Sequence, residues 1–180
     1  MIVLGVDPDL HCTALATWGD DPESLWADTI KIPAGITRHA AVLAMTKEIV
    51  KASTAMTESC DMLVVEAQVL RPYGNDWHRR PEDIVLLGNV AGAALAAWSG
   101  SCYGNLRFPT PQEWKRGVPK AAHQARAYEG LGWGYELRTD YAIPKNPPKA
   151  LEHIRPSEWK HVGDALLLAR WGWEQTRRKR

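Results

Sequence analysis

Two acidic residues stand directly after short apolar segments, where a folded chain seldom places a charge for solubility alone. Asp7 follows the apolar run 2–6, and Glu66 follows the apolar run 62–65. Each run has the length and composition of a buried strand. If the two strands lie parallel and side by side, both carboxylates emerge at one edge of the sheet, which is the edge where open α/β sheets bind ligands.

A third carboxylate and a histidine lie near the other end of the chain, on a segment with helical periodicity. His161 and Asp164 are three residues apart, so they share one face of that helix. Carboxylates that lie close together repel one another unless a cation neutralises them, and Mg²⁺ prefers oxygen ligands and keeps water molecules for chemistry. Two such ions about 4 Å apart can activate water and stabilise the leaving oxygen of a phosphodiester. The four residues therefore predict one acidic site with two Mg²⁺ ions, replaceable by Mn²⁺, that cuts nucleic acid.

Taken singly, each of the four residues also has a simpler explanation. The sequence Asp7-Pro8-Asp9 is compatible with ordinary turn chemistry. Glu66 could be a helix cap or the partner of a cation, and a single histidine such as His161 is more often an ordinary surface or core residue. For Asp164, which enters an apolar run, a merely structural role is the less favoured explanation. The prediction of a common site therefore rests on the four residues together, with the role of His161 as ligand or general base left open.

The composition is that of a folded protein with one domain. A chain of 180 residues fits one hydrophobic core, and 45% hydrophobic with 24% charged residues excludes a disordered chain. The net charge of +1 excludes a strongly basic protein, so contacts with phosphates are expected from local patches. One such patch is the basic C-terminal tail, residues 177–180.

The cysteines and the N-terminus predict a soluble, cytoplasmic protein. Cys12, Cys60 and Cys102 lie far apart, without the paired spacing of a zinc site or the even count of a disulfide framework. The first residues form no basic leader, and no stretch approaches the length of a membrane span.

The hydrophobic periodicity predicts an α/β protein. Short apolar runs predict five strands, of which the first three form a meander, and longer amphipathic stretches predict helices. The expected N-caps are Thr37, Thr110 and Ser157. The predicted strands are residues 2–6, 12–18, 25–32, 61–66 and 105–108, and the predicted helices are residues 37–59, 82–99, 111–116, 121–129 and 157–175. Residues 130–156, rich in Gly, Pro and basic residues, are predicted to form an irregular excursion.

Two of these segments carry features beyond those of an ordinary loop or helix. The predicted loop 71–81 is basic and aromatic together, which suits contacts with nucleic acid. The helix 82–99 has two apolar stripes, so it needs two partners. Small residues at every fourth position of this helix let another backbone approach closely, namely Gly88, Gly92 and Ala96.

The chain has nine tryptophans, for which packing is the more common role. Trp98, Trp171 and Trp173 lie in predicted helices and are expected to pack. Trp77 and Trp133 lie in predicted loops and are the better candidates for stacking on bases.

Five short motifs follow one another in a particular order along the chain. They are Gly5-Val6-Asp7-Pro8, Val64-Val65-Glu66, Leu87-Gly88-Asn89-Val90-Ala91-Gly92, Pro109-Thr110-Pro111-Gln112-Glu113-Trp114-Lys115 and His161-Val162-Gly163-Asp164-Ala165-Leu166. In this order, and on these predicted elements, they resemble the RuvC-type Holliday-junction resolvases of the ribonuclease H-like superfamily. The resemblance extends from residue 1 to about 128 and resumes at about 157.

The resemblance implies a five-stranded mixed sheet flanked by helices, a homodimer, and paired cuts across a four-way DNA junction that leave 5′-phosphates. It also implies that Asp7, Glu66 and Asp164 are metal ligands. His161 takes the place of a fourth ligand, which is acidic in some members of the family and histidine in others. The loop 71–80 falls where the family has a segment that probes the junction centre, with Leu70, Tyr73 and Trp77 as alternatives for a wedge. The residues expected to contact nucleic acid are Arg71, Tyr73, Trp77, Arg79, Arg80, Lys115, Arg116 and Lys120, and the dimer contact falls on the helix 82–99 with Gly88, Gly92 and Ala96.

The chain departs from the family pattern at two positions that matter for the site. The Gly-rich turn that many members carry after the fifth strand is replaced by residues 115–120. The lysines and arginine of this turn, together with Arg126, can still bind phosphates. Gly163 stands between His161 and Asp164, where a residue that favours helix would be expected.

Three other functions fit parts of the sequence. A 3′–5′ exonuclease of the same superfamily also has acids on its first strand, but usually as D-x-E and with a wider spacing before its last acid. A phosphotransferase lobe of the sugar-kinase and actin type also ends its first strand in an Asp-containing turn, but that fold needs two lobes. A DNA-binding module without catalysis would not need four residues suited to a metal.

Overall fold

The structure is a computed structural model that describes residues 1–56, 58–67, 81–98 and 105–178, without the side chains at positions 81 and 83. Its centre is a five-stranded mixed sheet in the order β3-β2-β1-β4-β5, in which β2 is antiparallel to β1 and β3, and β1, β4 and β5 are parallel. The strands are β1 (Ile2–Asp7), β2 (Cys12–Gly19), β3 (Ala27–Lys31), β4 (Met62–Val65) and β5 (Leu106–Arg107). The helices are α1 (Arg38–Met56), α2 (Pro81–Trp98), α3 (Pro111–Lys115), α4 (Lys120–Gly130) and α5 (Trp159–Arg177). This architecture confirms the predicted fold class.

Strand β1 lies at the centre of the molecule because its residues are apolar on both faces. Successive side chains of a strand point to opposite faces of the sheet. Leu4 and Val6 pack in one core with α1 and α2, whereas Val3 packs in another with α5. A Cβ atom at Gly5 would lie 2.1 Å from the carbonyl oxygen of Ala165, so α5 approaches β1 to a distance that only glycine permits.

Two of the three predicted helix caps are present. The backbone N–H of Ala40 donates to Oγ1 of Thr37 (3.3 Å), just before α1. Thr110 and Glu113 form a reciprocal capping box at α3, in which each side chain accepts a hydrogen bond from the other residue's backbone N–H.

The predicted cap of the last helix, Ser157, is wrong. Helix α5 begins at Trp159, its N-cap residue is Glu158, and no side chain caps the helix. The carboxylate of Glu158 instead forms an ion pair with Lys31 and accepts a hydrogen bond from Oγ1 of Thr29 (3.1 Å). The start of α5 is therefore tied to β3 by a tertiary ion pair, which local sequence rules do not describe.

Residues 130–156 are more regular than predicted. They contain a β-hairpin formed by β6 (Tyr135–Leu137) and β7 (Ala142–Pro144), and a turn of 3₁₀ helix at Lys149–Leu151. The buried residues of this segment pack with α4 and α5, and Trp133 is among them at 7% exposure. Its ring stacks on Tyr128, with the centroids 5.9 Å apart, so the prediction that Trp133 is available for base stacking is wrong.

Helix α2 uses both of its apolar stripes inside the protein. Leu87, Val90, Ala91 and Ala94 are buried in the core shared with α1 and the sheet. The excess of apolar residues therefore does not by itself require a second copy of the chain. What faces outward is the small-residue side of the helix, where Gly88 is half-buried and Gly92 and Ala96 are exposed.

Three tryptophans predicted to pack and two of the three cysteines lie in the described part of the chain. Trp98 is buried, and Trp171 and Trp173 pack partly buried against a core cluster, as expected. Cys12 and Cys60 are free thiols, and Cys102 lies outside the described residues. None of the helices in the described part of the chain is long and apolar enough to span a membrane.

Candidate active site

Asp7 and Glu66 emerge side by side because β1 and β4 are parallel neighbours. In the strand register Val6 is paired with Val65, so the residue after each of these valines leaves the sheet at the same edge. Both carboxylates are nearly enclosed, with Asp7 at 7% and Glu66 at 8% exposure. The turn after β1 belongs to a different acid, since Oδ1 of Asp9 accepts hydrogen bonds from the backbone N–H groups of residues 11 and 12. The turn explanation therefore applies to Asp9 and not to Asp7.

Helix α5 brings His161 and Asp164 to the same place. Nδ1 of His161 lies 2.9 Å from Oδ2 of Asp7, across 154 positions of sequence. Asp164 is 2% exposed, one turn further along the same face of the helix. The structure thus brings together all four residues that the sequence proposed for one site.

Two lysines enter this cluster from α3 and α4. Nζ of Lys115 lies 3.3 Å from Oε1 of Glu66 and 3.5 Å from Oδ2 of Asp164. Nζ of Lys120 lies 2.8 Å from Oδ2 of Asp164. These side chains were predicted to bind phosphates, but in this structure they neutralise the acidic residues. The ion-pair explanation considered for Glu66 is therefore also part of the description of the site.

The environment of the cluster shifts several pKa values. Burial raises the pKa of Asp7, and the hydrogen bond with His161 offsets only part of this rise. Burial also raises the pKa of Glu66, and the negative charge of Asp7 adds to it. Burial lowers the pKa of Lys120, but the carboxylates of Asp164 and Asp7 reverse this effect and leave the pKa above its ordinary value. The site thus favours the protonated forms of Asp7 and Glu66, mainly through burial, and the protonated form of Lys120, through the carboxylates beside it.

Two further residues contact the acids and were not identified from the sequence. Nε1 of Trp114 donates to Oε1 of Glu66 (3.2 Å), and Nε2 of Gln124 donates to Oδ1 of Asp164 (2.8 Å). Trp114 belongs to one of the motifs quoted above, so a signal for it was present. Gln124 lies in a predicted helix without any motif, and its polar side chain is completely buried.

The donor chemistry of the cluster fits Mg²⁺ or Mn²⁺, because three carboxylates supply hard oxygen ligands and His161 a nitrogen. In their present arrangement, however, no three His, Cys, Asp or Glu side chains among the described residues are placed to hold one ion. Oδ2 of Asp164 faces the ammonium groups of Lys115 and Lys120 instead. A metal ion at this oxygen would have to displace them.

A cavity of about 270 Å³ lies beside the acidic cluster, between α3, α4 and α5. Its charged lining consists of one acid, Glu174, and four cations, namely Lys115, Arg116, Arg126 and Arg170. We call this the basic cavity. Arg170 is held by Glu174 (2.9 Å). Within the described part of the chain Arg116 and Arg126 have no acidic partner, so the cavity has an excess of positive charge.

Of the other residues predicted to contact nucleic acid, Arg116 is the one that the structure describes. Arg116 ends α3 in the left-handed conformation with φ of 49° and is exposed. The remainder lie outside the described residues, namely Leu70, Arg71, Tyr73, Trp77, Arg79 and Arg80.

The chain thus has a ribonuclease H-like fold, with acidic residues where its parallel strands β1 and β4 end. The structure is similar to that of RuvC from Thermus thermophilus in complex with Holliday junction substrate, with 18% identity, a TM-score of 0.60, and coverage of 98% of this chain and 96% of that chain. A second structure of Thermus thermophilus RuvC gives 18% identity, a TM-score of 0.57, and coverage of 98% and 97%. The yeast mitochondrial Holliday junction resolvase, Ydc2, gives 13% identity, a TM-score of 0.54, and coverage of 97% and 80%.

No protein-family model and no curated protein sequence matches the chain. The chain therefore has the fold of RuvC and other Holliday junction resolvases over nearly its whole length, as the motifs indicated.

Proposed function

We propose that the protein is a structure-selective endodeoxyribonuclease that resolves four-way DNA junctions by paired, metal-dependent cuts leaving 5′-phosphates. The observation that carries this proposal is the convergence of Asp7, Glu66, His161 and Asp164 at one edge of a ribonuclease H-like sheet. Burying three carboxylates together is costly for a protein unless cations compensate their charge. The metal ions of a phosphodiesterase would provide that compensation.

The four side chains would hold two Mg²⁺ ions, or Mn²⁺ in their place. When bound, such ions supply an activated water and stabilise the charge on the leaving oxygen. The residues around the acids keep the ligands in place: Trp114 and Gln124 each donate a hydrogen bond to one carboxylate oxygen. Lys115 and Lys120 stand at the same edge and offer positive charge to a phosphate once they leave the acids.

The basic cavity supports a proposal for where the DNA backbone lies beyond the acids. Its cations surround a space large enough for a phosphate group, and Lys115 contacts Glu66 while it also lines the cavity. Phosphate contacts of this kind position a duplex without reading its sequence. We propose that Arg116, Arg126 and Arg170 bind backbone phosphates of a junction arm next to the cleaved strand. The predicted contacts of residues 71–80 complete this proposal at the junction centre.

Paired cuts require two active sites, and a homodimer would provide them. The outward side of α2 supports this part of the proposal, because Gly92 and Ala96 are exposed and Val85 on the same helix is an exposed apolar residue. Apart from the adjoining backbone of α2, no described atom lies within 4 Å of a Cβ built on Gly88 or Gly92, so another backbone could approach there. We expect Gly92→Arg to convert dimers to monomers in sedimentation, and an unchanged mass would place the contact elsewhere.

The deciding experiment offers the purified protein a synthetic four-way junction and a linear duplex of the same sequence, each with Mg²⁺ or EDTA. We expect symmetric nicks in the junction, dependence on Mg²⁺, and no degradation of the duplex. Asp7→Asn should bind the junction without cutting it, whereas the matched variant Asp140→Asn, an exposed acid, should cut normally. Equal cutting by Asp7→Asn and wild type would refute the site. Stepwise shortening from the ends of the duplex would replace the resolvase by an exonuclease.

A further inference from the structure

The side chain of Gln124 joins three separate parts of the protein. It lies on α4, is completely buried, and is hydrogen-bonded at both ends of its amide. Its Oε1 accepts from the backbone N–H of Ala142 (2.9 Å), in the hairpin β6–β7. Its Nε2 donates to the backbone oxygen of Lys160 (3.2 Å) and to Oδ1 of Asp164 (2.8 Å).

These partners fix which way the amide points. A backbone N–H can only donate, so the end of the amide that faces Ala142 must be the oxygen. The amide nitrogen must then face Asp164, where it meets an acceptor. If the amide were turned over, a donor would face a donor at Ala142 and an oxygen would face the oxygens of Asp164 and Lys160. The hairpin therefore determines that Asp164 receives a hydrogen bond at Oδ1.

Gly163 shows that the contact between α4 and α5 is built for this amide. A Cβ atom at position 163 would lie 2.7 Å from Nε2 and 2.8 Å from Cδ of Gln124, and 2.5 Å from the hydroxyl oxygen of Tyr128. Both neighbouring side chains are fully buried, so neither can withdraw into solvent. The absence of a side chain at this one position lets Gln124 reach the acid.

The hydrogen bond at Oδ1 also decides what the other oxygen of Asp164 does. With Oδ1 held by Gln124, Oδ2 is turned to the open side of the cluster, where it contacts the ammonium groups of Lys115 and Lys120. Oδ2 is thus the oxygen that Asp164 presents to a cation.

We propose that Gln124 is a positioning residue that orients Asp164 for metal binding, and that the hairpin β6–β7 acts on the acidic site through it. The proposal rests on the proposed function, because it gives Asp164 the role of a metal ligand. It assigns a role to residues 130–156, for which the sequence indicated none. Groups that orient metal ligands typically contribute about 10- to 100-fold to metal affinity or activity.

Two variants separate the two ends of the amide. Gln124→Met keeps the length of the side chain and removes every hydrogen bond. Gln124→Glu keeps an acceptor for Ala142 but places a carboxylate oxygen against Asp164. The matched control is Gln175→Met, near the end of α5, whose side chain has no hydrogen-bond partner among the described residues.

We expect Gln124→Met and Gln124→Glu to lower kcat for junction cleavage by about 10- to 100-fold. The KM for the junction should stay near the wild-type value, because Gln124 is buried and cannot contact DNA. Binding of Mn²⁺ to the protein without DNA, measured by electron paramagnetic resonance, should weaken by a similar factor. Wild-type kcat and Mn²⁺ affinity in both variants would refute the positioning role, since a purely structural glutamine would alter thermal stability alone.

A third measurement uses the wild-type protein and does not depend on how the variants fold. Addition of Mg²⁺ should shift the side-chain amide resonance of Gln124 and the backbone amide resonance of Ala142 in the ¹H–¹⁵N spectrum. Unshifted resonances at saturating Mg²⁺ would overturn the inference. Because Mn²⁺ affinity and these shifts are measured without DNA, they remain informative if the junction proves to be the wrong substrate.

Discussion

The substitution Gly163→Ala sets two opposing effects against each other, and the structure allows both to be estimated. Position 163 lies inside α5, where alanine is more favourable than glycine by about 1 kcal/mol because it restricts the unfolded chain and favours helix. The added Cβ, however, would lie within 3.0 Å of three heavy atoms of Gln124 and Tyr128. Overpacking of a well-packed interior costs about 1 to 3 kcal/mol.

The steric effect should win, and by an amount that is measurable. All three contacts are with completely buried side chains, so we take the upper part of the range for overpacking, about 3 kcal/mol. Subtracting the helix preference of about 1 kcal/mol leaves a destabilisation of about 2 kcal/mol. In a domain of this size, that corresponds to a decrease in Tm of roughly 4 to 8 °C.

Thermal unfolding followed by circular dichroism would measure this difference, with Gly130→Ala as the matched control. Gly130 is the last residue of α4, and a Cβ atom there would meet only Nη1 of Arg170, at an ordinary contact distance of 3.9 Å. The control therefore reports the helix preference without a steric conflict and should raise stability by up to about 1 kcal/mol. If Gly163→Ala were as stabilising as Gly130→Ala, the close contact between α4 and α5 would be refuted, together with the steric argument for Gln124.

Three further predictions concern the charges of the site. Lys120→Met should lower the free energy of unfolding in EDTA by about 1 to 2 kcal/mol, measured by chemical denaturation. This is less than the cost of breaking a fully buried ion pair, because the lysine side chain is 31% exposed. The same substitution at an exposed lysine, Lys149→Met, should leave the free energy of unfolding unchanged. Because burial raises the pKa of Asp7, this residue favours the folded state only at acid pH, and that contribution is lost as the pH rises through the raised pKa. Asp7→Asn should therefore be more stable than wild type in EDTA at pH 7, and a difference that did not shrink towards acid pH would contradict this. Arg126→Gln should weaken junction binding and reduce the slope of log affinity against log salt by about one, whereas Lys47→Gln, on α1, should leave that slope unchanged.

The acids of the site were predictable because each lies where a local pattern ends or repeats. Asp7 and Glu66 follow runs of buried strand residues, and the parallel pairing of β1 with β4 was enough to place them together. His161 and Asp164 needed only the period of a helix. In each case the decisive information spans a few neighbouring residues, and the fold merely brings the segments together.

The residues that contact the acids were not predictable in the same way, because their roles depend on tertiary distances. Lys120 was expected to bind phosphates on the strength of its charge, yet it reaches a carboxylate 44 positions away. Gln124 has no local signal, since its partners are a hairpin backbone and an acid 40 positions further along. Trp133 was a candidate for stacking on bases because it lies in a predicted loop, but its burial is decided by packing with α4 and α5.

The balance of charge in the site offers a reason why the carboxylates form ion pairs with Lys115 and Lys120 in the protein without metal. Three carboxylates facing two ammonium groups leave one negative charge, apart from His161, so the first divalent ion would make the cluster positive. A positive cluster attracts the phosphodiester, and the phosphate in turn favours a further cation and offers Lys115 and Lys120 new partners. Metal and DNA are thus expected to bind cooperatively, by reciprocal linkage. Such an arrangement would offset most of the acids' charge in the free protein and assemble the full set of charges only on the substrate.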